Sequence, residues 1–311
     1  MITPESHPQR LRVAHLNPNA PTTFHLRPDE GVREALAAEL GLDALTRLDF
    51  RGTLRAHGTD SWLLTATLAA REIRRFMTVW QQTVLAPLMT AGLFVTVFAL
   101  ALGEGRTVMG LPYLAFVGPG ILMMTVIQNA FANTSSSITS AKVQGNIVDT
   151  LMPPLSAGEI LTGYLLGSLA RALIVAVVIG IGMALVLGQA PAHPLWALAF
   201  VSVGALMLGG LGVIAGIVAQ KFDQMAAITN FIVTPLSYLS GTFYSVEALP
   251  EPFRTLSHWN PIFYLIDGAR YGFAGVSDAP VARGLAVCLL TVIAVNTLAW
   301  WWLRTGFRMK A

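Results

Sequence analysis

Charge is scarce in this chain, and it is missing where a soluble protein would carry it. Asp, Glu, Lys and Arg make up 12% of its 311 residues, against about 25% in an ordinary soluble domain. Cysteine is nearly absent. Cys288 stands alone, so no intrachain disulfide can form, and its place inside an apolar run marks it as a packing or lipid-facing residue. Lysine occurs only at Lys142, Lys221 and Lys310, followed by Val, Phe and Ala. That excludes a phosphate-cradling Gly-x-x-x-x-Gly-Lys-Ser/Thr loop. Histidine is confined to His7, His15, His25, His57, His193 and His258, none of them in a long apolar run. His-Glu-x-x-His is missing, and so are paired carboxylates inside those runs. Serine or metal-dependent hydrolysis at membrane depth, and a proton relay through intramembrane acids, are therefore disfavoured. An N-terminal h-region is also lacking, so the first spanning helix is expected to act as its own insertion signal.

What fills the space left by charge is apolar sequence, and the mean hydropathy is +0.60. A bilayer core about 30 Å thick is crossed by roughly 20 apolar helical residues. Runs suited to that length cover 83–103, 112–133, 160–187, 194–219, 225–243 and 282–303. Pro87 lies near the start of the first, and Pro119 with Gly120, and Pro235, predict bends in the second and fifth. Trp300, Trp301 and Trp302 form an aromatic anchor at the end of the last run. The apolar stretch 261–273 is too short to cross and contains Asp267 and Arg270, so it is predicted as a re-entrant or interfacial segment. Small-residue pairs at Gly163 and Gly167, and at Gly212 and Gly216, have the spacing of close helix approach.

Six crossings put both termini on one side. The connections on that side carry Arg71, Arg74, Arg75, Lys142, Lys221, Arg304, Arg308 and Lys310; those on the other carry Arg106, Arg254 and Arg270, with Arg283 at a boundary. This bias places both termini in the cytoplasm. The formal charge of +3 is thus orientation signal rather than a nucleic-acid footprint.

Residues 1–61 are a different material. Pro18, Pro21 and Pro28 punctuate them, Thr23 to Leu26 alternates like a strand, and Pro28 with Asp29 and Glu30 opens a helix that Gly41 closes. Arg47 to Arg55 alternates again, which gives a small soluble α/β fragment. Beyond it, Leu68 to Trp80 is amphipathic: Leu68, Ile73, Phe76, Met77 and Trp80 share one side, and Arg71, Arg74, Arg75 and Thr78 the other. That pattern suits a helix in the headgroup plane, or else the wet start of the first span.

Between the second and third runs, Ser156 and Glu159 have capping-box spacing and start a helix, while Pro153-Pro154 stops anything helical before it. The stretch 138–151 is long enough for a short helix lying across the membrane axis, and its Ile147, Val148 and Leu151, with Met152 just beyond, need a cover. Arg171 lies within the third run, with 16 residues from Ala172 to Leu187 beyond it. It is expected to snorkel to the headgroups, with a role in the transport path as the other reading. Asp267 and Arg270, three residues apart, are read as an ion pair holding the re-entrant segment, or as a polar gate.

Several of these strings occur together, in order, over 62–311: Gly118-Pro119-Gly120, Asp149-Thr-Leu-Met-Pro-Pro-Leu-Ser-Ala-Gly-Glu159, Lys221-Phe-Asp223, Asn230 through Pro235 to Tyr244, and Asn260-Pro-Ile-Phe-Tyr-Leu-Ile-Asp267-Gly-Ala-Arg270. The chain resembles an ABC-2 type transporter permease of the bacterial export branch. The resemblance implies an all-α polytopic protein with six transmembrane helices, an N-terminal interfacial helix carrying Arg71, Glu72, Arg74 and Arg75, and an extracellular re-entrant segment. It implies a coupling loop of Lys142, Val143, Gln144, Gly145, Asn146, Ile147, Val148, Asp149 and Leu151 that docks on a separate ATP-hydrolysing subunit. It also implies pairing with a second copy, a bacterial inner-membrane location, and no cofactor on this chain, with ATP and Mg held by the partner. Residues 20–60 are similar to the start of a YceD-type protein, a soluble family linked to ribosomal RNA. The function expected is a permease subunit exporting an amphiphilic, drug-like, lipid or glycan-linked substrate. The alternatives are a pore or lipid-handling protein with no ATPase, or a membrane-anchored scaffold.

Overall fold

The computed structural model describes residues 58–102, 105–147 and 155–308, which belong to the unit His57–Ala311. The predicted soluble fragment, and Val148, Asp149 and Leu151, lie outside the described residues.

The chain enters as α1 (Gly58–Thr78), turns at Val79, and passes through a π-helical turn (Gln81–Leu85) into α2 (Ala86–Leu102). A two-stranded antiparallel hairpin, Thr107–Val108 with Leu111–Pro112, leads into α3 (Tyr113–Val143). Then come α4 (Ala157–Leu187), α5 (Pro194–Val218), α6 (Phe222–Ile228), a second π-helical turn (Thr229–Val233), α7 (Thr234–Leu239), α8 (Phe253–Trp259), α9 (Pro261–Ala274) and α10 (Val281–Thr305). The capping box forms as the spacing predicts: Ser156 Oγ accepts from Glu159 N at 3.3 Å, and Glu159 Oε2 accepts from Ser156 N at 2.5 Å. Gly188 (φ 63°) and Gly275 (φ 74°) close α4 and α9 in the left-handed region that glycine enters without strain.

Among the described residues, five helical segments are long and apolar enough to cross a membrane: Gln81–Ala101, Tyr113–Val143, Ala157–Leu187, Pro194–Val218 and Val281–Thr305. The predicted run 225–243 is not among them. There α6, the π-helical turn and α7 form one interrupted helix, diluted by Asp223, Gln224 and Asn230. Its π-helical turn lies just ahead of Pro235, which has no N–H to continue a regular ladder.

The spans are covered very unequally. In their apolar windows, 83% of α3 and 67% of α5 is buried, but only 6% of Gln81–Ala101. Thus α3 is the axis of the bundle. It runs alongside α5 at close range because α5 has no side chain where they meet. A Cβ on Gly212 would sit 2.5 Å from the Phe131 carbonyl, and one on Gly216 2.8 Å from Ile138 Cβ. Thr134 Oγ1 donates to Gly209 O at 2.7 Å across the same seam. The predicted glycine pair is therefore a packing seat. A large core surrounds α3 at the Tyr113 end and the middle. A smaller one at the Val143 end joins Ile138, Ile147, Ile160, Leu161, Tyr164, Val213, Ile217 and Ala299.

One expectation fails here. Residues 138–143 do not form a helix lying across the axis; they are the last turns of α3. Ile138 is fully buried against the Gly216 seat, which keeps α3 straight past the predicted end of the span at 133.

Candidate functional site

Three groups of polar residues are set into or onto this bundle. The first is the turn after α3. Lys142 Nζ donates to the carbonyls of Ile217 (2.7 Å), Ala219 (3.0 Å) and Gly216 (3.2 Å). These are unsatisfied acceptors at the C-terminus of α5, where the helix dipole is negative, so the ammonium caps that helix. Five residues later Ile147 is buried in the small core. Between the two anchors Val143, Gln144, Gly145 and Asn146 are exposed, and Gly145 turns the chain with φ 74°. A force on this patch therefore reaches α3 directly, α5 through Lys142, and α4 through the packing of Ile147. The exposed residues 143–146 lie within the predicted coupling loop. Nothing in the sequence shows that Lys142 spends its charge on α5, because the acceptors lie 74–77 residues away.

The second group joins α1 to α3 and α4. Here the predicted amphipathic faces need correcting. Leu68 and Phe76 are buried, but Met77 and Trp80, expected beside them, are exposed. The buried stripe instead includes Thr65, Ala69 and Glu72. It follows α4 in the same direction for a turn: a Cβ on Gly163 would meet Leu68 Cδ2 at 2.6 Å, and one on Gly167 would meet Glu72 Cβ at 2.5 Å. The glycine pair of α4 is the seat for α1. Glu72 has no exposed side-chain surface. Its Oε2 pairs with Arg75 Nη2 at 3.0 Å, and its Oε1 accepts from Ser137 Oγ at 2.8 Å and Arg71 Nη2 at 3.4 Å. Arg75 Nη2 also donates to Asn133 O (2.8 Å) and Oδ1 (3.1 Å) on α3. Arg74 stays exposed.

Arg171 lies one turn beyond Gly167 on the same face of α4. It does not simply snorkel outward: Nη2 donates to Asn129 Oδ1 on α3 at 2.8 Å. Its Nε is buried and finds no acceptor among the described residues. Asn129 and Asn133 thus stand one turn apart on α3, each giving its oxygen to a different arginine.

The third group is at the opposite end, near Tyr113. Arg270 is fully buried and Asp267 nearly so. Arg270 donates to Gly241 O (2.6 Å) and Phe116 O (3.4 Å), pairs with Asp267 Oδ1 (3.5 Å) and lies 4.0 Å above the Phe116 ring. Asp267 also accepts from the amides of Asp278 (2.8 Å) and Ala279 (3.1 Å). Asp278 in turn accepts from Ser245 Oγ (2.6 Å) and Val246 N (3.1 Å) and lies 3.9 Å from Arg270. This cluster clasps α9, the turn after α7, the loop before α10 and α3. Every charge in it is answered, and neither predicted gate residue opens onto a path. A Cβ on Gly120 would lie 2.6 Å from the Thr242 carbonyl, so that glycine admits the clasped turn rather than only bending α3. Cys288 is buried, with Sγ 3.6 Å from Pro261 O, and is a packing residue. Arg171, Asp267 and Arg270 do not converge. Arg171 belongs with the α1 cluster, and the other two belong to the clasp.

Comparison with known proteins places this architecture. The family model "ABC-2 type transporter" matches residues 64–274. The inner membrane transport permease YadH of Escherichia coli K12 is 36% identical over 252 residues, covering 80% of this chain and 98% of YadH. Nodulation protein J of Rhizobium leguminosarum bv. viciae is 24% identical over 226 residues, covering 71% of this chain and 87% of that protein. Nodulation protein J of Sinorhizobium fredii is 25% identical over 228 residues, with the same coverage. With five candidate spanning segments among the described residues, the buried α3 one of them, and this match over most of its length, the chain is a multi-pass membrane transport protein belonging to the ABC-2 type transporter family.

Proposed function

We propose that this chain is the membrane-spanning permease of a bacterial inner-membrane exporter whose ATP hydrolysis takes place on a separate subunit. The observation that carries the proposal is the exposed patch Val143–Asn146, held between Lys142 on α5 and Ile147 in the small core. A docking point for an engine must be accessible and must not absorb the stroke. This patch is exposed at its tip and fixed at both ends.

The transmembrane domain comprises 62–311 and residues 1–61 are a soluble addition. The segment Phe222–Leu239 makes the sixth crossing, since its 18 residues span about 27 Å at 1.5 Å each. The helix α9 is the re-entrant segment on the outer side, held there by the Arg270 clasp. Both termini are then cytoplasmic. The exposed stripe of α1, with Trp62, Leu63, Met77 and Trp80, suits the headgroup layer beside Arg71 and Arg74.

A second copy covers the barest faces. On the first span Leu85, Met89, Leu93, Val97 and Leu100 form one exposed apolar stripe, and Phe231, Ile232 and Leu239 expose another on its neighbour. Phe94 and Tyr238 join the two segments, with ring centroids 6.5 Å apart. A path between two such apolar faces suits amphiphilic, drug-like, lipid or glycan-linked cargo rather than ions.

The test is purification from the native membrane followed by reconstitution. An ATPase should co-purify, and amphiphilic cargo should raise its hydrolysis rate. Cargo movement without ATP, or no associated ATPase, would favour a pore or lipid-handling protein. Loss of transport on deleting 1–60 would favour a scaffold.

A further inference from the structure

We propose that the corner where α1 turns into the first span holds one phosphate group of an anionic lipid, gripped by Arg171 and Arg75. The proposal rests on the sidedness given above only for which leaflet supplies the lipid.

The charge balance comes first. Arg75 and Arg171 bond asparagines one turn apart on α3, at the seam of α1, α3 and α4, and are close enough for their charges to repel. Among the described residues the acid paired with Arg75 is Glu72, and both its oxygens are already engaged by Arg71, Arg75 and Ser137. Arg171 has no acidic partner among the described residues, only the neutral Asn129 oxygen. Two like charges set together in a partly apolar seam are costly unless an anion joins them.

The hydrogen-bond balance points the same way. Asn129 and Asn133 each give the side-chain oxygen to an arginine. What remains buried and unpartnered in this seam, among the described residues, is Arg171 Nε and Asn133 Nδ2. Both are donors. A Cβ on Gly167 would lie 3.6 Å from Asn133 Nδ2, so that amide sits on the stripe of α4 that leads to Arg171. A group made only of acceptors, carrying negative charge, satisfies such a set, and a guanidinium fork matches phosphate oxygens in pairs.

Depth chooses the source. From Arg171 to the end of α4 at Leu187 is 16 residues, about 24 Å of helix, so the guanidinium lies toward one boundary of a hydrocarbon layer about 30 Å thick. Trp80, Gln81 and Gln82 are exposed at the corner, and the Arg75 side chain is 36% exposed. Lipid phosphates reach this level from the side, and anionic ones are favoured near clustered arginines.

The experiment is native mass spectrometry of the full chain in neutral detergent, with phosphatidylglycerol or phosphatidylcholine of equal chain length. Wild type should retain one phosphatidylglycerol at least tenfold more tightly than phosphatidylcholine, and Arg171→Met should lose that one lipid while binding phosphatidylcholine as before. Unchanged retention by Arg171→Met overturns the proposal. If Arg171→Met does not fold, the wild-type comparison decides: equal retention of the two lipids overturns it. Inorganic phosphate distinguishes the sources. A melting-temperature rise equal to that given by short-chain phosphatidylglycerol would assign the site to free phosphate and overturn the lipid assignment. None of these readouts needs the ATPase, so they stand apart from the test of export.

Discussion

Arg270 and Arg171 are both set into the apolar bundle, but only one has its charge answered. Arg270 is fully buried among two carboxylates, two carbonyls and an aromatic face. Arg171 keeps some exposure, bonds one neutral oxygen and leaves Nε unpartnered. The first arrangement is architectural: it ties four segments together. The second leaves binding capacity unused. Within one membrane domain, the degree to which an arginine is paired separates a fastener from a site.

The largest effect should come from Arg270→Met. It strands the buried carboxylates of Asp267 and Asp278, and breaking a buried pair from one side costs about 3–5 kcal/mol. The variant should lose most of its folded, monodisperse fraction on size exclusion, while Arg270→Met combined with Asp267→Asn should recover part of it. Next is Glu72→Gln, which removes the buried acid paired with Arg71 and Arg75 but keeps a group able to bond Ser137. A loss of about 1–3 kcal/mol is expected in a denaturant melt, with less protection of α1 in hydrogen exchange. Lys142→Met uncaps α5 and should cost about 1–2 kcal/mol; it should also weaken the effect of ATPase docking on the bundle. Arg171→Met should change stability in neutral detergent by less than about 1 kcal/mol, because it strands no partner charge. A loss as large as that of Arg270→Met would erase the contrast.

The smallest effect concerns pH. Glu251, in the exposed loop before α8, is held below the usual carboxylate range by the Thr255 hydroxyl first and by Arg254 next. A carboxyl lowered in the folded state contributes stability above its unfolded value and loses it as pH falls through the folded one. Amide exchange over α8 should therefore quicken only well into acid, and Glu251→Gln should flatten that step.

The sequence made five of the six predicted spans legible because length and hydropathy are summed over many residues, and it made the α4 start legible because a capping box is local. It made the two glycine pairs legible as seats, though not what sits in them. Glu72 was hidden because, in a run of arginines, a glutamate looks like surface; only the missing side chain at Gly167 lets it inward. The role of Lys142 was hidden for a similar reason, since its acceptors are backbone carbonyls of a distant helix. Asn133 read as the polar end of a span, because nothing local shows that α3 continues ten residues further, to Val143.

The most direct test is site-specific crosslinking from Gln144→Cys, with native Cys288 buried and out of reach. If the turn after α3 is where the ATPase pushes, the introduced thiol should crosslink to the co-purified ATPase subunit in high yield, and modifying it should uncouple hydrolysis from cargo. An ATPase that co-purifies but crosslinks only elsewhere, or a thiol freely modified in the assembled complex, would contradict the account.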